Sequence, residues 1–499
     1  MTQRLLTLAL SLAALSACAP AQVSFVCLTD EPLCTIGEVL EDERPLATGI
    51  DITAITLYQG VERPLMVDGA LVEDGPAIVA NRDAVFRVFV TPAADWEPRT
   101  ITARVYLTLD GAVVGAQQAD LAPSGASSVQ SLGSTFNLRV PGASLSASSE
   151  ATVQWSVELV ELDDSVRAGG KDGVNVWPES GTAELPVEDA GPVRILLVPV
   201  EYNSDGSGRL PDTSEGQLEL YRQHMLATYP ASDVEIEVSE PLSTNVRVEA
   251  NGTGWDRLLS EVGNARQSLG ADDDQYLYGA FNPANSFGEF CGGGCVLGLS
   301  NLAGSAGDAF QRASIGIGYP GTDATETMIH EVGHAHGRNH SPGCDAAGAD
   351  PGYPNRDGHL DVWGYDLRSD TLKDPAAPTY DFMSYCPPTW TSEFTWDGLF
   401  DRVSGVNRLY NSRAVTVDWM ALWVYSDGSL GWGVDHPIVG SPGGEPRLVE
   451  LLDEKGRSLG TLQGWFSPFD HVSGGVLTLP QTDLPFVTVL FDGRFSPPR

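Results

Sequence analysis

The chain has 499 residues, with 67 acidic against 29 basic side chains and a formal net charge of −38. Only three of the basic residues are lysines and no basic patch occurs, which argues against nucleic acid as a partner. The length supports three domains of ordinary size, and the acidity reads as a solvated, self-repelling surface.

Residues 1–18 combine Arg4 with an apolar stretch at 5–15 that is too short to cross a bilayer as a permanent helix, the pattern of a secretion signal. Leu15, Ser16, Ala17 and Cys18 resemble a bacterial lipobox, which implies a lipid on Cys18 and a membrane anchor. Ordinary cleavage after Ala19 or Ala21 is the competing reading. Ala19 behind the cysteine resembles the sorting pattern for the outer membrane, so the expected location is the bacterial cell envelope, with residues 19–50 as a tether. The six remaining cysteines lie in an exported chain, where disulfides are the default. Many connectivities are possible; the simplest pairs neighbours, Cys27 with Cys34, Cys291 with Cys295, and Cys344 with Cys386. A metal site at Cys291 and Cys295 lacks a second ligand pair at suitable spacing.

Residues 51–190 show short alternating runs, such as 85–90, 102–109 and 152–159, broken by Gly, Pro, Ser and Asp and with no helical period. This is the pattern of a β-sandwich domain. From 191 to 415 the pattern changes. Residues 193–200 read as a buried strand, and Leu218, Tyr221, Met225 and Tyr229 as a helix face. Val234, Ile236 and Val238 alternate, Leu258, Leu259, Val262 and Leu269 suggest another helix, and 276–281 and 313–319 two more strands. Leu399, Val403, Val406 and Tyr410 mark a last helix. Strands alternating with helices imply an α/β sheet. Residues 416–499 read as a small C-terminal β domain in which 448–452 and 458–462 flank a hairpin turn at 453–457.

Inside the α/β region, residues 330–340 read HEVGHAHGRNH, holding four of the eight histidines of the chain. Residues four apart share a helix face, so His330 and His334 can present their rings to one zinc ion. Glu331, beside the first ligand, reaches a water on the metal without binding the metal itself. Gly337 permits the left-handed turn that ends the helix and brings His340 back as third ligand. Three protein ligands leave a fourth position open, the arrangement of a catalytic site. Asp323 and Glu326 form a candidate capping box for this helix, and Met328, Ile329 and Val332 face a core.

The motif HExxHxxGxxH, followed downstream by Tyr380, Asp381, Phe382, Met383, Ser384 and Tyr385, resembles the metzincin superfamily of zinc endopeptidases. The resemblance covers about residues 320–390 and implies a methionine turn with Met383 beneath the metal site. It also implies that Tyr385 binds zinc or stabilises the transition state. Ser341 after the third histidine is matrixin-like whereas the turn is serralysin-like, so no branch fits cleanly; long secreted bacterial metzincins, including lipoprotein mucinases, are the nearest comparison. The implied activity is hydrolysis of peptide bonds in extracellular proteins or glycoproteins, with Glu331 as general base and Tyr385 donating to the oxyanion. Two rivals stand beside it: a surface adhesin or glycan-binding lipoprotein with a vestigial metal site, and a hydrolase acting on a non-peptide bond. The peptide-holding edge strand is placed near residues 295–302. His336 reads as solvent-facing or as support to the ligands, and His224, His359, His436 and His471 as isolated structural residues. Asn355, Asp357 and Asp361, and the run 272–274, tempt a calcium reading without matching a calcium loop. No inhibitory cysteine switch is evident.

Overall fold

The computed structural model describes residues 44–146, 152–162, 173–412 and 414–499, all within one compact unit. Cys18, Cys27 and Cys34, with the signal and most of the expected tether, lie outside the described residues.

The N-terminal part is built from antiparallel sheets. Ile50–Tyr58 pairs with Glu62–Val67 on one side and Ala84–Pro92 on the other, while Ile101–Leu109 pairs with Ala112–Leu121 and Gln154–Glu161. Alternation puts Ile55, Leu57, Phe86 and Val88 of the first sheet against Val105, Leu107, Trp155 and Val157 of the second in one core.

The central sheet runs in the order Val234–Val238, Val193–Tyr202, Tyr276–Phe281, Ala313–Ile317, Gly298–Ser300. Its first four strands are parallel, and the last is an antiparallel edge strand. Burial on both faces explains why 193–200 reads as a continuous apolar run. Helices Glu215–Thr228, Trp255–Asn264, Thr322–Ala335 and Glu393–Ser412 complete this region. Ser214 caps the first by accepting from the Gln217 amide, and Asp361 caps the last by accepting from the Glu393 and Phe394 amides at 2.8 and 3.1 Å. Asp272 and Asp274 both pair with Arg194. Protein donors thus account for these members of the two calcium-like clusters.

The C-terminal part is one eight-stranded sheet closing toward a β-barrel, in which Glu445–Leu452 and Ser458–Pro468 pair around the turn expected at 453–457. It is not a free appendage. Ala421, Trp423, Phe469 and Val476 share a core with Leu258, Val262 and Ile315 of the central region. The N-terminal part is joined by Arg82, buried at 6 % exposure, whose guanidinium donates to the carbonyls of Leu226, Tyr229 and Ala231 just beyond and at the end of a helix. Cations suit that end of a helix dipole. Among the described residues, no helix is long and apolar enough to cross a membrane.

Candidate active site

Thr322–Ala335 is the active-site helix, and its first turn departs from expectation. It begins after Gly321, with no side-chain cap, so Asp323 and Glu326 do not form the capping box. The backbone at Gly321 (φ +113°) enters the helix directly, and the side chain of Gln217 supplies a donor and an acceptor to Gly321 instead. The other end follows the motif. Gly337 has φ +83°, its amide donates to the His334 carbonyl at 2.7 Å, and the Arg338 amide donates to the Gly333 carbonyl at 3.0 Å. This left-handed closure turns the chain back toward the helix.

His330, His334 and His340 come together. Each Nδ1 lies against a backbone carbonyl: Phe382 at 2.8 Å, Arg338 at 2.6 Å and Ala347 at 2.6 Å respectively. A carbonyl only accepts, so each Nδ1 carries the proton and each Nε2 presents a lone pair. The Nε2 of His334 is 3.1 Å from that of His330 and 3.1 Å from that of His340. Lone pairs facing one another at that distance repel unless a cation lies between them. Four-coordinate zinc with bonds of about 2.0–2.1 Å places ligand nitrogens about 3.3 Å apart, close to what is found. Burial, with the crowding of neighbouring rings, drives His330 well below the usual histidine range and His334 down to about 3, so the rings are neutral as ligands require. The donor set and its protonation fit a divalent ion held by these three imidazoles.

The floor of the site is set by a contact that the motif conceals. A Cβ at Gly333, between the first two histidines, would come within 2.5 Å of the Met383 sulfur. The glycine therefore lets the buried methionine approach the helix from below. Asp381, fully buried, holds that turn: its carboxylate accepts from the Met383 amide at 2.8 Å and from the Ser392 amide and hydroxyl at 3.0 and 2.5 Å. The loop after His340 is tied to the same turn by the Ser341 amide donating to the Met383 carbonyl and by the Cys344–Cys386 disulfide. Cys291–Cys295 is also bonded, as neighbour pairing expects.

Glu331 is 2 % exposed and lies against the edge strand, where a Cβ at Gly298 would approach its carboxylate to 2.4 Å. Burial, then the nearby Asp470 carboxylate, pushes Glu331 well above the ordinary glutamate range. Tyr385, 40 % exposed, stands with its ring 4.8 Å from that of His340.

Two histidine assignments need correction. His336 does not face solvent: it is 1 % exposed, stacks on Tyr276 at 3.9 Å and donates from Nδ1 to the Val332 carbonyl. His471, read as isolated, lies in the site. Its Nε2 is 3.2 Å from Glu331 Oε1 and 3.0 Å from Asp470 Oδ2, and its Nδ1 is 2.6 Å from the Tyr385 hydroxyl. Against the effect of burial, these two carboxylates hold His471 well above the usual histidine range, and its imidazolium in turn holds Asp470 low. Asp470 Oδ2 is 3.4 Å from His334 Nε2. His471 follows Glu331 by 140 residues, at the tip of a hairpin of the C-terminal sheet, and no spacing rule connects it to the helix that carries Glu331.

Residues 300–398 match the family described as Peptidase M66. No curated protein matches the chain. Among solved structures, a beta-glucuronidase of Parabacteroides merdae aligns at 12 % identity and TM-score 0.16 over 48 % of this chain and 31 % of its own. The same enzyme with glycerol in its active site aligns at 14 % identity and TM-score 0.14, over 42 % and 29 %. The chain thus spans less than a third of the length of these structures. The M66 match encloses the three histidines, Glu331 and Met383, so over residues 300–398 the chain is similar to that peptidase family.

Proposed function

We propose that this protein is a zinc-dependent endopeptidase acting on extracellular proteins or glycoproteins, with His330, His334 and His340 as ligands and Glu331 as general base. One observation carries the reading: three imidazoles, each fixed by a carbonyl at Nδ1, turn unshared Nε2 lone pairs toward one point beside a buried carboxylate. An ion held there supplies Lewis acidity that brings water toward ionisation near neutral pH and polarises a carbonyl. Glu331 accepts the proton of the attacking water and returns it to the leaving amine, a transfer favoured by a carboxylate whose affinity for protons is raised. Tyr385 donates its hydroxyl to the developing oxyanion. Gly298–Ser300 offers its outer edge to an extended substrate backbone, in the manner of strand addition. Export to the cell envelope with a lipid on Cys18 belongs to the same proposal and rests on residues 1–18.

The test compares zinc content and casein cleavage in the native protein and Glu331→Ala. Both are expected to hold one zinc per chain, with cleavage by the variant lower by about 10²–10⁴. Equal cleavage by the two, or a metal-free native protein, refutes the reading. Loss of lipid labelling in Cys18→Ala tests the anchor.

A further inference from the structure

The end of that outer edge, from Ser300 to Leu302, is paired within the chain itself. Residues 468–470, at the tip of the hairpin formed by Ser458–Pro468 and Gly475–Pro480, run antiparallel along it, with Asn301 opposite Phe469. The Leu302 amide donates to the Pro468 carbonyl at 3.1 Å, the Asp470 amide to the Ser300 carbonyl at 3.3 Å, and the Ser300 amide to Asp470 Oδ1 at 2.8 Å. These are the backbone groups an added strand uses. The next residue, His471, then lies across the metal cluster. One of its ring nitrogens is within 4.8 Å of the ligand nitrogens of all three histidines, and its ring is parallel to that of His330. It bonds the Glu331 carboxylate and the Tyr385 hydroxyl, the two groups that a substrate needs free.

We propose that residues 468–471 form a built-in substrate mimic: a strap that pairs with the peptide-binding edge and lays His471 over the open side of the metal site, so that an extended polypeptide binds by replacing it. This rests on the reading of the site as a zinc endopeptidase. Phe469 anchors the middle of the strap in the shared core, so the part to be displaced is Asp470 and His471; Gly474 (φ +111°) lies beyond the tip, and a cleft of about 430 Å³ lined by Leu302, Phe466 and Pro468 adjoins it. Among the described residues, the polar contacts of the His471 side chain are with Asp470, Glu331 and Tyr385.

The test uses the full-length zinc protein and Asp470→Ala/His471→Ala. Three quantities are measured: the dissociation constant of a peptide hydroxamate, kcat and KM on a short quenched peptide, and amide hydrogen exchange over residues 298–304. Releasing the strap is expected to tighten the hydroxamate at least tenfold, about 1.4 kcal/mol, to lower KM, and to speed exchange over 298–304 at least tenfold. Unchanged hydroxamate affinity and exchange overturn the proposal. So does a fall in kcat without tighter binding, which makes His471 a participant in the reaction instead. Should the double variant fail to fold, His471→Ala alone carries the test through hydroxamate affinity. Exchange over 298–304 reads strap closure whether or not the protein proves to cleave peptides, so failure of the strap is told apart from failure of the endopeptidase reading.

Discussion

Gly298→Ala tests the proposed general base, Glu331, without replacing it. The added Cβ would lie 2.4 Å from Glu331 Cγ and Oε1 and 2.5 Å from Cδ, whereas non-bonded carbons settle about 3.5–4.0 Å apart. The strand cannot retreat freely, because Gly298 pairs with Gly316 in the neighbouring strand. The Glu331 side chain, 2 % exposed, must therefore move by about 1 Å. A misplacement of that size in a reacting group costs about 100-fold in rate, or about 2.7 kcal/mol of barrier. No imidazole is touched, so zinc content stays at one per chain. The assay is kcat/KM on a quenched fluorescent peptide beside zinc analysis of the same sample. A Gly298→Ala protein with full zinc and parental kcat/KM refutes the assignment of Glu331 as a positioned base cradled by this glycine.

Three further outcomes follow from the same geometry. Gly333→Ala forces the new methyl against the Met383 sulfur, 2.5 Å away, and overpacking of this kind lowers stability by about 1–3 kcal/mol, read as a reduced urea midpoint with weaker retention of zinc. Cys344→Ser/Cys386→Ser opens a loop with sequence separation 42, and the chain-entropy relation gives a loss of about 4 kcal/mol in chemical unfolding; an unchanged midpoint would show that the turn does not depend on the clip. Arg82→Met leaves the carbonyls of Leu226, Tyr229 and Ala231 without their charged donor, with an expected loss of about 3 kcal/mol or more. Because Arg82 joins the N-terminal sheets to the central region, that variant should also separate a single thermal transition into two in calorimetry.

The amino-acid sequence by itself determined the local chemistry. The ligand spacing is a property of helical period, and the left-handed stop at Gly337 needs only a glycine, so His330, His334, Glu331 and His340 were legible as one unit. The buried strand at 193–200 announced itself as an apolar run, and among the described residues Cys291–Cys295 and Cys344–Cys386 paired as proximity suggests. Gly333 passed unread in the sequence because the reason for a glycine inside the helix, the approach of the Met383 sulfur, exists only in three dimensions. Helix entry at Gly321 escaped notice because Gln217, on a different helix, replaces the cap that Asp323 offered. His336 was misjudged because its ring packs on Tyr276, whose place on a neighbouring strand no periodicity reveals. Only the tertiary structure decided what stands over the three histidines. Asp470 and His471 reach Glu331 because the C-terminal sheet shares a core with the central one, and the packing of Trp423 and Phe469 against Val262 and Ile315 aims the hairpin tip at the edge strand. Contacts of that range are fixed by how two apolar faces fit together, a quantity that belongs to the folded surface and not to any stretch of chain.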